Sequence, residues 1–142
     1  MHTSHKLYSD TEVAELLRDH GIAATSQRVL IARTILSQGS HVSAEELFRT
    51  VNAGSPHVSK ATVYNTLGVL AEKGLIREVF ADPSRVLYDP NVSPHHHFYD
   101  EVTGELTDID AQGVDVTGLP PLPEGAQLQG VDVIVRLRSK DR

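Results

Sequence analysis

Three observations predict an α+β chain. Four stretches of helical apolar spacing precede residue 75, two short strand-like runs flank a turn directly after them, and a later hairpin gathers histidines and carboxylates. The interval 90–94, Pro-Asn-Val-Ser-Pro, separates a helix-rich first half from a small α/β second half.

At 142 residues the chain suffices for one ordinary domain, or for two small ones that share burial with each other or with a second subunit. Its 39% hydrophobic and 23% charged residues are ordinary for a globular protein. No apolar run approaches the roughly 18 residues of a membrane span. The opening MHTSHKLYSDTE has no signal-like apolar segment, so a cytoplasmic location is expected. Cysteine is absent, which excludes disulfides, thiolate zinc and a cysteine nucleophile, so any metal must be held by nitrogen and oxygen. The net charge of -6 is uneven: residues 1–80 carry eight Lys and Arg against eight Asp and Glu, residues 81–142 five against eleven. A neutral first half can still present a basic face to phosphate.

In order along the chain, Ser9 to Glu12 has the form of a capping box. Val13, Leu16 and Leu17 follow at helical spacing, predicting a helix from about Asp10 to His20 that closes at Gly21. Ser26 is expected to cap a second helix, Gln27 to Gln38, with Val29, Ile31, Ala32, Ile35 and Leu36 inward and Gly39 as its stop. Ser43 to Glu46 repeats the capping box ahead of a short third helix, and a turn-rich interval from Asn52 to Val58 leads to Ser59. A fourth helix then buries Val63, Leu67, Leu70 and Ala71 and ends at Gly74. Strands are expected at Ile76 to Phe80 and Arg85 to Asp89, around the turn Ala81-Asp82-Pro83-Ser84.

Helix, short helix, turn, helix and hairpin in that order predict an N-terminal winged helix-turn-helix over residues 1–89, an arrangement that binds double-stranded DNA. The start of its last helix carries Ser59, Lys60, Thr62, Tyr64 and Asn65. Small and hydrogen-bonding residues there let the backbone approach base edges, while helix amides and Lys60 meet phosphate. Tyr64 can lie against thymine methyls, and Asn65 can bond adenine or phosphate.

Past the hinge, His96 to Val102 and Glu105 to Ile109 are expected to pair around Thr103-Gly104. Three prolines and several glycines make 111–130 irregular, and Val131 to Leu137 alternates like a strand with one buried face. Some three strands do not stand alone. Residues 95–142 are therefore expected to form a small α/β dimerisation domain of a homodimer.

Strand alternation points His95 and His97 one way and His96 the other. The H-x-H pair can grip a divalent ion, with Asp108 on the partner strand and Asp89 at the end of the wing as oxygen donors, and His41 as a further ligand. Such nitrogen and oxygen donors suit iron(II), manganese(II) or zinc. Asp100, Glu101, Glu105 and Asp110 are assigned to a solvated face. His2, His5, His20 and His57, each alone, are assigned to the surface.

The stretches TSQRVLIARTIL with SHVSAEELF, KATVYNTLGVLAEKGLI and HHHFYDEVTGELTDI resemble the ferric uptake regulator family of metal-responsive repressors, over about residues 10–110. The similarity lies nearest the peroxide-sensing and the heme-responsive iron-response branches. By that resemblance the regulatory site, which bridges two domains in the family, falls on His41, Asp89, His95, His97 and Asp108. The DNA-contacting helix falls on Ser59 to Lys73, with Tyr64 and Asn65 reading bases and Arg28 contacting phosphate. The resemblance also implies a homodimer that binds a palindromic operator when iron(II) or manganese(II), or else zinc(II), locks the DNA-binding domains at the correct spacing. With iron bound, peroxide would oxidise a neighbouring histidine and release DNA. Two departures stand out: the two C-x-x-C pairs that hold a structural zinc in many members are missing, and the helix usual after the hairpin is replaced by residues 111–130. The iron-response branch links its His-His-His run to heme, which makes His96 the candidate for heme or a second metal. A metal-dependent enzyme built on the H-x-H pair is the rival from another class, and no nucleophile motif accompanies it.

Overall fold

The computed structural model describes residues 7–54, 57–93 and 95–140. His2, His5 and Pro94 of the expected hinge lie outside these residues. The chain divides between Val92 and Ser93 into two compact units, each described by itself.

The first unit is a helical platform with a three-stranded wing. Helix α1 (Asp10–Asp19) opens with both bonds of the capping box: the Glu12 amide donates to Ser9 Oγ at 3.1 Å and the Ser9 amide to Glu12 Oε1 at 2.9 Å. Helix α2 (Ser26–Leu36) is capped by Thr25, not Ser26. Thr25 is the residue with extended backbone, and its Oγ1 accepts from the Arg28 amide at 3.2 Å. Ser26 already lies in the first turn, so an equally good capping residue one place later is unused. Strand β1 (Val42–Ser43) was not expected; only two residues long, it has no alternation to reveal it.

Helix α3 (Ala44–Val51) carries the second capping box, and Glu46 accepts from the Ser43 amide at 2.9 Å, which holds its carboxyl below the usual range. Asn52 then ties the turn after α3: its Nδ2 donates to the carbonyls of Phe48 and Val58, and its Oδ1 accepts from the Val58 amide at 2.7 Å. Helix α4 (Lys60–Glu72) follows, capped by Ser59. Val13, Leu17, Ile31, Ile35, Leu47, Val63, Leu67 and Leu70 are wholly buried in one apolar core. Each such aliphatic side chain contributes about 1.5–3 kcal/mol by leaving water.

Strands β2 (Arg77–Asp82) and β3 (Arg85–Asp89) form the wing, in the sheet order β1-β3-β2. Strand β2 continues through Ala81 and Asp82, which the sequence placed in the turn. The ladder breaks register between Val79 and Asp82 to allow it. Asp82 Oδ1 accepts from the Ser84 amide and hydroxyl, closing a tighter turn.

The second unit is a three-stranded sheet ordered β5-β4-β6: β4 (His95–Asp100), β5 (Leu106–Asp110) and β6 (Ile134–Leu137). Strands β4 and β5 are antiparallel, and β4 and β6 parallel. Parallel neighbours need a crossover of a dozen residues or more, commonly a helix. Residues 111–133 cross over with only the short 3-10 turn Ala111–Gly113, because Pro120, Pro121 and Pro123 cannot donate to a helical ladder. The strand expected over Val131 to Leu137 is shorter, and its inward face is not buried: Val135 and Leu137 are 37% and 39% exposed.

Candidate metal centre and nucleic-acid face

In the first unit, β1 positions His41. Val42 pairs with Tyr88 in antiparallel register, so residue 41 lies across from residue 89, just past the end of the ladder. His41 Nε2 lies 3.4 Å from Asp89 Oδ2. Asp89 is 2% exposed, and its other oxygen accepts from the Asn91 amide at 2.9 Å, which fixes the carboxylate's orientation. Beside it, burial first and then Glu78 and Tyr64 push the Tyr88 phenol up, so Tyr88 stays protonated.

In the second unit, register and alternation place His95, His97 and Asp108 on one face. His97 pairs directly with Asp108, and the Nε2 atoms of His95 and His97 lie 3.5 and 3.4 Å from the same Asp108 Oδ1. The imidazole rings meet edge to face, with centroids 4.5 Å apart. His95 Nδ1 lies 2.7 Å from the Ser93 carbonyl. A carbonyl only accepts, so Nδ1 is the donor in that contact and Nε2 is the ring nitrogen turned to the carboxylate oxygen. An imidazole nitrogen facing a carboxylate oxygen is satisfied by a proton or by a metal cation between them. A ring nitrogen donating to a carbonyl while the other faces a ligand is also the usual outer-shell arrangement of a metal-bound histidine. The donor set, imidazole nitrogen and carboxylate oxygen without sulfur, fits a divalent first-row ion.

His96 points to the opposite face, as alternation predicts, and its Nδ1 accepts from the Val133 amide at 3.0 Å. That bond ties β4 to the chain entering β6. Among the described residues no further His, Asp or Glu joins His96 in a bond. Asp100 corrects the sequence reading: it is 8% exposed and is not part of a solvated face. Its carboxylate accepts from the Ser139 hydroxyl and from the amides of Val102, Thr103 and Ser139, and these bonds, the Ser139 hydroxyl foremost, hold its pKa down to about 2. Sequence reasoning missed this role because Ser139 lies 39 residues away. Glu101, Glu105 and Asp110 are exposed, as expected. His57 is exposed too, while His20 is half-buried against the Leu16 carbonyl at 2.9 Å.

The candidate nucleic-acid face lies at the start of α4. The Thr62 amide donates to Ser59 Oγ at 3.1 Å, and no acidic residue sits in the helix's first turn, so its amide dipole meets no competing carboxylate. Tyr64 is 44% exposed and Asn65 is exposed beside it. Lys60 Nζ lies 3.2 Å from Glu45 and over the Phe48 ring, so a phosphate would have to draw it from a surface ion pair. Arg28 Nη1 donates to the Ala23 carbonyl at 3.2 Å, which holds the guanidinium near the N-terminus of α2.

The profile of the ferric uptake regulator family matches residues 19–133. Over 99 residues the chain is 32% identical to the peroxide-responsive repressor PerR of Staphylococcus epidermidis, covering 70% of this chain and 66% of that protein. It is 31% identical over 104 residues to the peroxide operon regulator of Bacillus subtilis, covering 73% and 72%. The matched stretch thus spans just under two thirds of the first relative's length. The solved structure of the ferric uptake regulator from Pseudomonas aeruginosa with manganese has the same fold, with a TM-score of 0.72 at 24% identity over 91% of this chain and 98% of that one. The chain belongs to the ferric uptake regulator family.

Proposed function

We propose that this chain is a metal-responsive transcription regulator that binds a palindromic operator as a homodimer in the cytoplasm. One divalent ion, iron(II) or manganese(II) with zinc(II) as the alternative, would be held by His41 and Asp89 of the first unit and His95, His97 and Asp108 of the second. The observation that carries the reading is the convergence of the His95 and His97 Nε2 atoms on Asp108 Oδ1, with His95 Nδ1 turned to the Ser93 carbonyl. Family membership supports it, since members of this family are metal-responsive DNA-binding regulators and not enzymes. The enzyme alternative has no support left.

A divalent ion at this site supplies the charge that imidazole and carboxylate donors converge on and, as iron(II), a reductant for peroxide. The chain's own residues do the rest. Asp89 and Asp108 compensate the cation, and Ser93 and Asn91 orient two of the ligands. Because the donors are divided between two units joined by the expected hinge at 90–94, binding favours whichever arrangement brings them together. Tyr64 and Asn65 would then meet base edges, with Lys60, Arg28, Ser59 and Thr62 on phosphate. His96 is read as a strand tie, and no observation favours heme.

The test is to enrich duplexes from a random-sequence pool with the full chain, with and without manganese(II). The reading expects an inverted repeat bound in a metal-dependent way, with the metal effect lost in His97→Ala and Asp108→Asn. Unchanged metal dependence in both variants would overturn it.

A further inference from the structure

Lys60 opens α4, and its ammonium is engaged before any duplex arrives. Nζ lies 3.2 Å from Glu45 Oε1 and 5.6 Å from the centre of the Phe48 ring, whose face attracts a cation. Both partners belong to α3, so the contact ties the two helices of the helix-turn-helix together. Glu45 sits in the first turn of α3, where the helix dipole favours a negative charge. Its other oxygen, Oε2, lies 3.8 Å from Arg49 Nη1. One carboxylate thus stands between two cations, in the role that a backbone phosphate plays for lysine and arginine.

The first turn of α4 holds no acidic residue of its own, so the carboxylate that competes for Lys60 comes from α3. Phosphate attraction is the same for every sequence, whereas Tyr64 and Asn65 report on base edges only where these match. A lysine open to any phosphate would therefore strengthen matched and unmatched duplexes alike.

We infer that Glu45 is a specificity-determining residue, which keeps Lys60 from backbone phosphate on unmatched DNA and yields it when Tyr64 and Asn65 seat α4 against matched bases. The side chains of the pair are 55% and 46% exposed, so the bond is weak enough to exchange. On an unmatched duplex α4 stays farther from the backbone, and the carboxylate, already in place, keeps the ammonium. On a matched one the base contacts bring the start of α4 and its amides onto a phosphate, and Lys60 joins them. Discrimination arises because an attraction is withheld from wrong partners. The inference deepens the proposed function and rests on its DNA-binding reading.

The test measures binding of the full chain with manganese(II) to two duplexes over a range of salt: the inverted repeat enriched as above and a scrambled sequence of equal length. In Glu45→Gln the scrambled duplex should bind roughly two- to fivefold tighter, the worth of one exposed ion pair. Its plot of log K against log salt should steepen by about 0.9, which is one further phosphate contact, while the inverted-repeat slope stays as in the wild type. Lys60→Ala should do the reverse, flattening the inverted-repeat slope by about 0.9 and leaving the scrambled slope unchanged. Adding Glu45→Gln to Lys60→Ala should then change neither slope. A Glu45→Gln protein that leaves both slopes unchanged, or steepens both equally, would overturn the inference. So would a gain that survives in the Lys60→Ala background, since net charge alone would explain it. In these cases salt-dependent binding by the wild type leaves the DNA-binding reading standing, whereas a wild type that binds no duplex would sink both. Lys60→Ala makes half of the prediction by itself, so a Glu45→Gln protein that unfolds still leaves the inverted-repeat slope to decide.

Discussion

The two units solve burial differently. The first encloses its aliphatic side chains in one core under four helices and a wing, and the N-terminal ends of those helices are capped by Ser9, Thr25, Ser43 and Ser59. The second buries polar groups, His95, His96, His97 and Asp100, while leaving Phe98, Val135 and Leu137 in water. A buried imidazole or carboxylate is tolerated only when something compensates it, and an open apolar sheet face only when something covers it. The first unit therefore satisfies its buried groups within itself, whereas the second buries imidazoles and a carboxylate on a sheet whose apolar side chains stay partly open.

The contrast is broken most severely from the first unit's side. Leu67→Ala, at a wholly buried position of α4, should destabilise the chain by about 2–5 kcal/mol in denaturant unfolding, whereas Val135→Ala should leave unfolding of the monomer nearly unchanged. Equal losses would mean that the second unit has a closed core after all. Next in size is the ion: manganese(II) at ~100 times its dissociation constant should add about 2.7 kcal/mol to stability, and Asp108→Asn should abolish that gain in thermal melts. Thr25→Ala should cost about 1 kcal/mol and Ser26→Ala only a few tenths, which separates the true cap from its neighbour.

The smallest effect concerns pH. Asp100 is depressed from 3.8 to about 2, so the folded state favours its ionised form. Its contribution is fully present above pH 3.8 and is lost as pH falls through about 2. Acid unfolding of Ser139→Ala should show a shallower slope in that window than the wild type. An unchanged slope would remove the Asp100 to Ser139 tie.

Much of this was legible in the sequence where the signal is local. Capping boxes at Ser9 and Ser43, the spacing of Val63, Leu67 and Leu70, and the alternation that pairs His95 with His97 all arise from neighbours within a few residues. Position 41 was harder. What seats His41 beside Asp89 is β1, two residues pairing with a strand more than forty positions on, and no periodicity announces such a ladder. The Asp100 to Ser139 tie was invisible for the same reason. The exposure of Val135 and Leu137 could not be read at all, since alternation says that two faces differ and is silent on whether anything covers the apolar one.

The central claim is that one ion draws on both units. Calorimetric titration of manganese(II) into the wild type, His41→Ala, His97→Ala and the double variant tests it directly. A shared ion predicts strong non-additivity, with a coupling energy of about 1–3 kcal/mol and a double variant little weaker than the weaker single one. Losses that add to within about 0.5 kcal/mol would contradict it and leave two independent sites, one in each unit.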